Sequence, residues 1–169
     1  PSPAPFPTTV EVDAAGVLWV GGLGTWRRSG ESWTAAPSPG AGIVVSMLRD
    51  PQGLVVGLSS GNAARWNGAG WTAYSGGGVG PSEGFQTLAS FGGTLWAGTN
   101  GGGILCRRRD GTFTTIGTAE GLGSLIVWSI AFDASGDAWV GGDGNGVQRL
   151  AGGRAVQQIG MREGLPIEQ

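Results

Sequence analysis

Arginine is the only basic residue type among the possible ligand-binding groups of this 169-residue chain, since the sequence contains neither His nor Lys. The densest charge cluster is Arg107-Arg108-Arg109, followed by Asp110. If this run lies in a strand, Arg107 and Arg109 share one side and Arg108 faces the other, because successive side chains alternate. Guanidinium groups bind carboxylate, sulfate or phosphate through paired hydrogen bonds. Arg107 and Arg109 are therefore candidate anion-binding residues, although the solvated end of an outer strand is the simpler interpretation.

Tryptophan supplies the second set of candidates, with eight in the chain. Five of them recur at two fixed positions of a repeated unit, which is typical of core packing: Trp19, Trp96 and Trp139 at the first position, and Trp33 and Trp71 at the second. The other three have no counterpart in every unit. Exposed aromatic rings of this kind stack on sugar rings and other flat apolar faces. The candidates for such binding are Trp26, Trp66 and Trp128.

Catalytic and metal-binding chemistry have little support in the composition. Arginine stays protonated in proteins, so carboxylates are the remaining general bases. Cys106 is the single cysteine, which excludes a cysteine cluster and favours a packing role. Asp143 and Asn145 lie in a Gly-rich turn and could offer oxygen ligands to Ca²⁺, but the twelve-residue calcium-loop pattern is absent and a plain turn is the simpler interpretation. We therefore predict a protein that is not an enzyme and binds no cofactor.

Charge and hydropathy limit the possible partners. The formal net charge of −2 argues against a nucleic-acid partner, since neutralising phosphates requires a strongly basic face. No window approaches the roughly 18 continuous apolar residues of a membrane-spanning helix. We expect no membrane span within this sequence.

A Gly-rich phrase occurs four times, at residues 16–21, 53–57, 93–98 and 136–141. The copies lie roughly 40 residues apart, a period typical of propeller blades. An Asp-x-x-Gly hairpin turn begins at Asp13, Asp50 and Asp133, whereas the third unit has Phe91-Gly92-Gly93 instead. Aspartate suits such turns because its side chain accepts hydrogen bonds from backbone N–H groups two residues on.

Four short strands can be traced in each unit, which predicts an all-β fold of four four-stranded propeller blades. The third strand of each unit carries an arginine, which suggests a repeated structural pairing: Arg28, Arg65, Arg107 and Arg149. We place a Pro-rich lead-in at 1–8 and the repeats at about 9–40, 41–82, 83–124 and 125–169. Four units lead us to expect a segment of a larger ring of about seven blades. Two alternatives are a complete small propeller and two chains that complete one ring.

The unit resembles the two-component regulator propeller repeat. The similarity is carried by residues 93–105 (GTLWAGTNGGGIL) and 133–147 (DASGDAWVGGDGNGV), and by the link-like segments 120–122 and 163–166. The resemblance implies a bacterial sensor propeller, often of seven blades, that precedes a membrane span and a histidine kinase or another output domain. It also implies a periplasmic or extracellular location.

The function expected from this resemblance is an extracytoplasmic module for ligand sensing or protein interaction. Its ligand is unknown and could be a carbohydrate or another small molecule, and open blade edges could mediate self-association. Two alternatives remain open because a fold does not fix a function. One is a stand-alone lectin-like or scaffold propeller, and the other is a propeller enzyme that uses a carboxylate pair.

Overall fold

The computed structural model describes residues 6–74, 83–144 and 146–166. Residues 1–5 of the predicted lead-in, and Asn145 of the possible calcium site, lie outside these ranges. Within them, no helix is long and apolar enough to cross a membrane. The sixteen strands are β1 (Thr9–Val12), β2 (Leu18–Gly21), β3 (Thr25–Ser29), β4 (Ser32–Ala36), β5 (Val44–Asp50), β6 (Gly53–Leu58), β7 (Ala63–Trp66), β8 (Trp71–Ala73), β9 (Phe85–Phe91), β10 (Thr94–Thr99), β11 (Ile104–Arg107), β12 (Phe113–Ile116), β13 (Val127–Phe132), β14 (Ala138–Gly142), β15 (Val147–Ala151) and β16 (Arg154–Ile159).

Each set of four consecutive strands forms one antiparallel sheet in sequence order. We number these sheets blade 1 (β1–β4), blade 2 (β5–β8), blade 3 (β9–β12) and blade 4 (β13–β16). The first strands of successive blades contact one another, as expected for strands that surround a common axis. The prediction of an all-β propeller with four four-stranded blades is confirmed. Single-turn 3₁₀ helices occur at Thr118–Glu120 and Met161–Glu163.

The hairpin turns between the first two strands form as the sequence predicts. Asp13 Oδ1 accepts hydrogen bonds from the backbone N–H groups of Ala15 and Val17, and Asp133 makes the equivalent bonds in blade 4. The second carboxylate oxygen of each aspartate accepts the indole N–H of the tryptophan six residues later, at 2.9 Å for Trp19 and 3.0 Å for Trp139. These aspartates therefore hold both the turn and the neighbouring aromatic ring.

The hydrophobic core lies in three layers, each between two successive blades. Trp19 of blade 1 is only 1% exposed and packs edge-to-face with Trp66 and Trp71 of blade 2, with ring centroids 4.9 and 5.6 Å away. The predicted packing role of Trp19 and Trp71 is confirmed. We call the face that a blade turns toward the next blade its forward face; Trp19, Val55 and Trp96 lie on the forward faces of blades 1, 2 and 3.

Strand register corrects the predicted series of arginines. The residues paired with Trp19, Val55, Trp96 and Trp139 on the adjacent third strand are Arg27, Arg65, Cys106 and Arg149. Arg28 pairs instead with Trp33, and Arg107 pairs with Leu95. Because a shift of one residue turns a side chain to the other face of a sheet, Arg107 points away from the forward face of its own blade.

Candidate functional site

Blades 2 and 3 enclose a groove beside the hairpin turns of their strands, and we call it the 2–3 groove. Its volume is about 420 Å³. Two of the residues singled out from the sequence, Arg107 and Trp66, line it together. The other side chains of its lining are amides, a hydroxyl, a second arginine, an alanine and a tyrosine: Gln52, Asn67, Thr72, Arg65, Ala73 and Tyr74. A groove with cationic, aromatic and hydrogen-bonding walls is suited to a polar ligand with an anionic group.

Arg107 reaches the groove because of its register. Its pairing with Leu95 places it on the face of blade 3 that meets blade 2. The guanidinium carbon lies 4.4 Å from the ring centroid of Tyr74 and 5.7 Å from that of Phe113. Cation–π contacts of this kind orient the guanidinium without neutralising its charge.

Nothing in the described part of the chain neutralises Arg107. It has no ion pair with a carboxylate there, and its Nε is buried without a hydrogen-bond partner. A buried donor that lacks an acceptor costs on the order of 1–3 kcal/mol.

Arg65 lies on the other wall of the groove and already has its counter-ion. Two hydrogen bonds of 2.6 Å join its guanidinium to both carboxylate oxygens of Asp50. Burial opposes ionisation of Asp50, but the hydrogen bonds from Arg65 and from the backbone outweigh it and hold the pKa of Asp50 below its ordinary value. The two arginines and one carboxylate leave the groove with an excess of positive charge.

Tyr74 separates the groove from a small cavity of about 20 Å³ that is also lined by Asn62, Phe85 and Leu105. The Tyr74 hydroxyl is buried and lies near the Arg65 guanidinium, which opposes the effect of burial on its pKa. Burial raises the pKa of this phenol above its ordinary value, so at neutral pH it is a hydrogen-bond donor. A cavity of this size has room for about one water molecule.

Arg109 lies next to the 2–3 groove but not in it. It lines an adjoining cavity of about 10 Å³ together with Asp50, Gln52 and Gly93. A side chain at Gly93 would collide with the Arg109 guanidinium, since a Cβ there would lie 1.9 Å from Nε. Arg108 lies on the opposite side, toward blade 4. The three arginines therefore divide as strand alternation predicts.

The remaining candidates lie elsewhere. Trp26 is half-buried in β3, beside Val20 and away from blade 2. Trp128 is 53% exposed at a bulge of β13. Asp143 lies in the turn after β14, and its predicted partner Asn145 is not described. No three His, Cys, Asp or Glu residues converge on a possible metal site in the ranges that the structure covers.

Tyr74 is the main residue of the groove that sequence reasoning missed. It follows the short strand β8 and has no equivalent in the other units, so the repeat pattern gives it no role. One signal was available, since Tyr74 is the only tyrosine in the chain. A unique amphipathic aromatic outside the repeat pattern is a reasonable candidate for a binding surface.

Comparisons with known proteins identify the fold. No family model matches the sequence, and no curated protein matches it. Solved structures do match. The extracellular domain of the putative hybrid two-component system BT3049 from B. thetaiotaomicron has a TM-score of 0.75 at 17% identity, over 91% of this chain and 24% of that one. The extracellular domain of the putative one-component system BT4673 from the same organism has a TM-score of 0.77 at 20% identity, over 95% and 22%.

A third similar structure is YCF48 bound to D1 peptide, with a TM-score of 0.62 at 20% identity. It covers 98% of this chain and 58% of the YCF48 chain. The present chain thus spans about a quarter of the length of the two bacterial extracellular domains. The resemblance to two-component regulator propellers is confirmed by these neighbours as a likeness of fold, and the neighbours include extracellular domains of bacterial sensors.

Proposed function

We propose that this chain is an extracytoplasmic ligand-sensing module of a two-component-type signalling protein, within a ring larger than its four blades. The ligand binds in the 2–3 groove. The similar bacterial extracellular domains support the sensing role, and the arrangement of the groove supports the location of the ligand. In this proposal the chain binds its ligand without chemical conversion.

One observation carries the proposal: Arg107, which has no carboxylate partner among the described residues, lines a groove of about 420 Å³. Arg65 and Arg149 differ from Arg107 in this respect, because each is paired with an aspartate. A carboxylate on the ligand would give Arg107 a charge-assisted partner. Tyr74 would contact an apolar face of the same molecule.

Sensing requires that the ligand bind one arrangement of the blades more tightly than another. The 2–3 groove meets this condition, because Arg107 of blade 3 completes a lining that otherwise belongs to blade 2. A ligand that contacts Arg65 on blade 2 and Arg107 on blade 3 would favour one separation of the two sheets. The change in packing would then pass to an output domain.

Calorimetric titration of the chain with sodium glucuronate tests the site, with glucose as the uncharged matched probe. Glucuronate combines a carboxylate with a ring of apolar faces, so we expect it to bind more tightly than glucose. Arg107→Ala should weaken glucuronate binding by about 10- to 100-fold, the value of a hydrogen bond to a charged group. Arg28→Ala is the matched control, since Arg28 is exposed on blade 1, and it should leave binding unchanged.

Equal binding of glucuronate by the chain and by Arg107→Ala would reject the 2–3 groove as the site. Preference for glucose over glucuronate would favour the lectin-like alternative. Binding that depends on Arg107 without any change in blade packing, measured by small-angle scattering, would support a binding module but not a sensor.

A further inference from the structure

Blade 3 differs from the other blades on its forward face. In blade 2 this face carries the ion pair of Asp50 and Arg65. Blade 3 has Phe91 at the hairpin position of Asp50, since each ends the first strand before a two-residue turn. It has Cys106 at the position of Arg65. Both charges are therefore replaced by apolar side chains in the same blade.

Trp96 lacks the hydrogen bond that its counterparts make. The indole N–H groups of Trp19 and Trp139 donate to Asp13 and Asp133. Trp96 occupies the same position on the second strand, but Phe91 replaces the aspartate. No hydrogen bond joins its Nε1 to a described residue, and this N–H is not among the buried groups left without a partner, so it is open to solvent. An indole N–H prefers to have an acceptor when the ring packs at an interface.

A groove of about 500 Å³ lies between blades 3 and 4 at this position, and we call it the 3–4 groove. Its floor is a group of three aromatic rings. Phe91 is 46% exposed and stacks on Phe132 with centroids 5.1 Å apart, and Trp96 meets Phe132 edge-on at 5.2 Å. Gly136 allows Phe91 to approach blade 4, because a Cβ there would lie 2.5 Å from the ring.

The polar groups of the 3–4 groove lie around this aromatic floor. Thr114, Thr115 and Arg108 are exposed to solvent. Glu120 Oε2 accepts a hydrogen bond from the backbone N–H of Gly117, and its carboxylate and the Arg108 guanidinium leave the lining with no net charge to attract an ion. The floor itself presents three rings and the Cys106 side chain. Such a floor matches a flat apolar ring better than a sugar, which needs several polar partners for its hydroxyls.

We propose that the 3–4 groove binds an uncharged planar aromatic molecule that carries one hydrogen-bond acceptor, with its ring on Phe91 and its acceptor on Trp96 Nε1. The ligand acceptor takes the place of the aspartate carboxylate that blades 1 and 4 provide. This site is separate from the 2–3 groove and does not depend on the function proposed for that groove.

Benzamide is a suitable probe because it is uncharged and planar and carries one carbonyl acceptor. The measurement is the ¹H–¹⁵N spectrum of the tryptophan indole groups, in which Trp96→Phe identifies the Trp96 signal by its loss. We expect benzamide to shift this signal downfield with a Kd on the order of 1 mM, as befits a molecule of this size. Cyclohexanecarboxamide, which keeps the acceptor but lacks the aromatic ring, should bind about fivefold more weakly.

Three variants sharpen the test by ligand-observed saturation-transfer NMR. Phe91→Ala should weaken benzamide binding about fivefold, since it removes one aromatic partner. Trp96→Phe keeps an aromatic ring but removes the donor, and should weaken binding by a similar factor. Val156→Ala alters an apolar side chain that is 57% exposed in β16 and should have no effect.

If benzamide at about 10 mM, ten times the expected Kd, caused no shift in the Trp96 signal, the proposal would be overturned. A larger shift with methyl β-glucoside than with benzamide would show that the groove takes a sugar and would overturn the ligand class. Equal binding by Phe91→Ala and the unaltered chain would place the ligand elsewhere. Arg107→Ala, which abolishes the 2–3 site if that proposal is correct, should leave benzamide binding unchanged.

Discussion

The 2–3 and 3–4 junctions are built from the same repeat but use different chemistry. At the 2–3 junction the ion pair of Asp50 and Arg65 meets Arg107 and Tyr74 around the groove. At the 3–4 junction the corresponding positions hold Phe91 and Cys106, beside Trp96. Burial raises the pKa of the Cys106 thiol to about 12, as expected for an apolar environment. The comparison shows that the blade face that lacks the aspartate also lacks the arginine, so neither charge is left without the other.

The largest loss of stability is expected when blade 3 receives only one of the two charges that blade 2 carries. Cys106→Arg places a guanidinium at a position that is almost fully buried and opposite no carboxylate. The cost should be about 3–5 kcal/mol of unfolding free energy, the penalty of an unpaired buried charge. Urea unfolding followed by tryptophan fluorescence measures it.

Adding Phe91→Asp to Cys106→Arg recreates the arrangement of Asp50 and Arg65 in blade 3. We expect the second change to recover about 1–3 kcal/mol, since residues in direct contact couple by this amount. Phe91→Asp alone is the control for the loss of the stacked ring. If the double variant were no more stable than the summed free-energy changes of the single variants predict, the introduced aspartate and arginine would not interact as Asp50 and Arg65 do in blade 2.

A smaller loss of unfolding free energy is expected when the ion pair at the 2–3 junction is broken. Asp50→Ala leaves Arg65 without its counter-ion in a mostly buried site and should cost about 2 kcal/mol in urea unfolding. The double variant Asp50→Ala/Arg65→Met should be more stable than Asp50→Ala, because no uncompensated charge remains. Glu31→Ala, at an exposed turn of blade 1, should change stability by less than about 0.5 kcal/mol.

If Asp50→Ala and the double variant had equal unfolding free energies, the unpaired Arg65 guanidinium would have to be hydrated by water and would carry no burial penalty. The contrast between a charged and an apolar junction would then be one of composition without energetic consequence.

Much of the fold could be predicted from the sequence, because turn residues and strand alternation are local signals. The Asp-x-x-Gly turns, the four strands of each unit and the packing tryptophans follow from such patterns. Strand register was harder to predict, since it depends on the number of residues in the turn that joins two paired strands. The link from Trp19 to its partner Arg27 is shorter than the links that pair Val55 with Arg65 and Trp139 with Arg149. The sequence pattern therefore predicts Arg28 at the position that the register gives to Arg27.

The sites were less predictable, because each lies between two blades. Trp66 and Arg107 were singled out separately, but they lie more than 40 residues apart in sequence (positions 66 and 107), and only the packing of blade 3 on blade 2 brings them into one groove. Phe91 was noted as a departure from the aspartate pattern. The sequence did not show that the arginine of the same ion pair is also replaced, because the equivalence of Cys106 to Arg65 is visible only in the strand register.

The smallest effect on stability is expected from removing one of the hydrogen bonds between an aspartate and an indole N–H, which blade 3 lacks. The indole of Trp139, together with backbone N–H groups, holds the pKa of Asp133 below its ordinary value. A depressed pKa in the folded state contributes stability above the unfolded value near 3.8, and this contribution is lost as the pH falls through the folded pKa. Trp139→Phe removes the indole donor and should move the Asp133 pKa back toward its ordinary value, as followed by the carboxyl ¹³C shift between about pH 5 and pH 2.

Trp96→Phe is the matched control for this last prediction, because Trp96 has no aspartate partner. It should leave the pKa of Asp133 unchanged, and it should leave the acid branch of the stability curve with the slope of the unaltered chain. Trp139→Phe should flatten that branch, since fewer protons are then taken up on unfolding in acid. If both variants flattened it equally, Trp96 would share an acidic partner with the other tryptophans, and the free indole on which the 3–4 site depends would not exist.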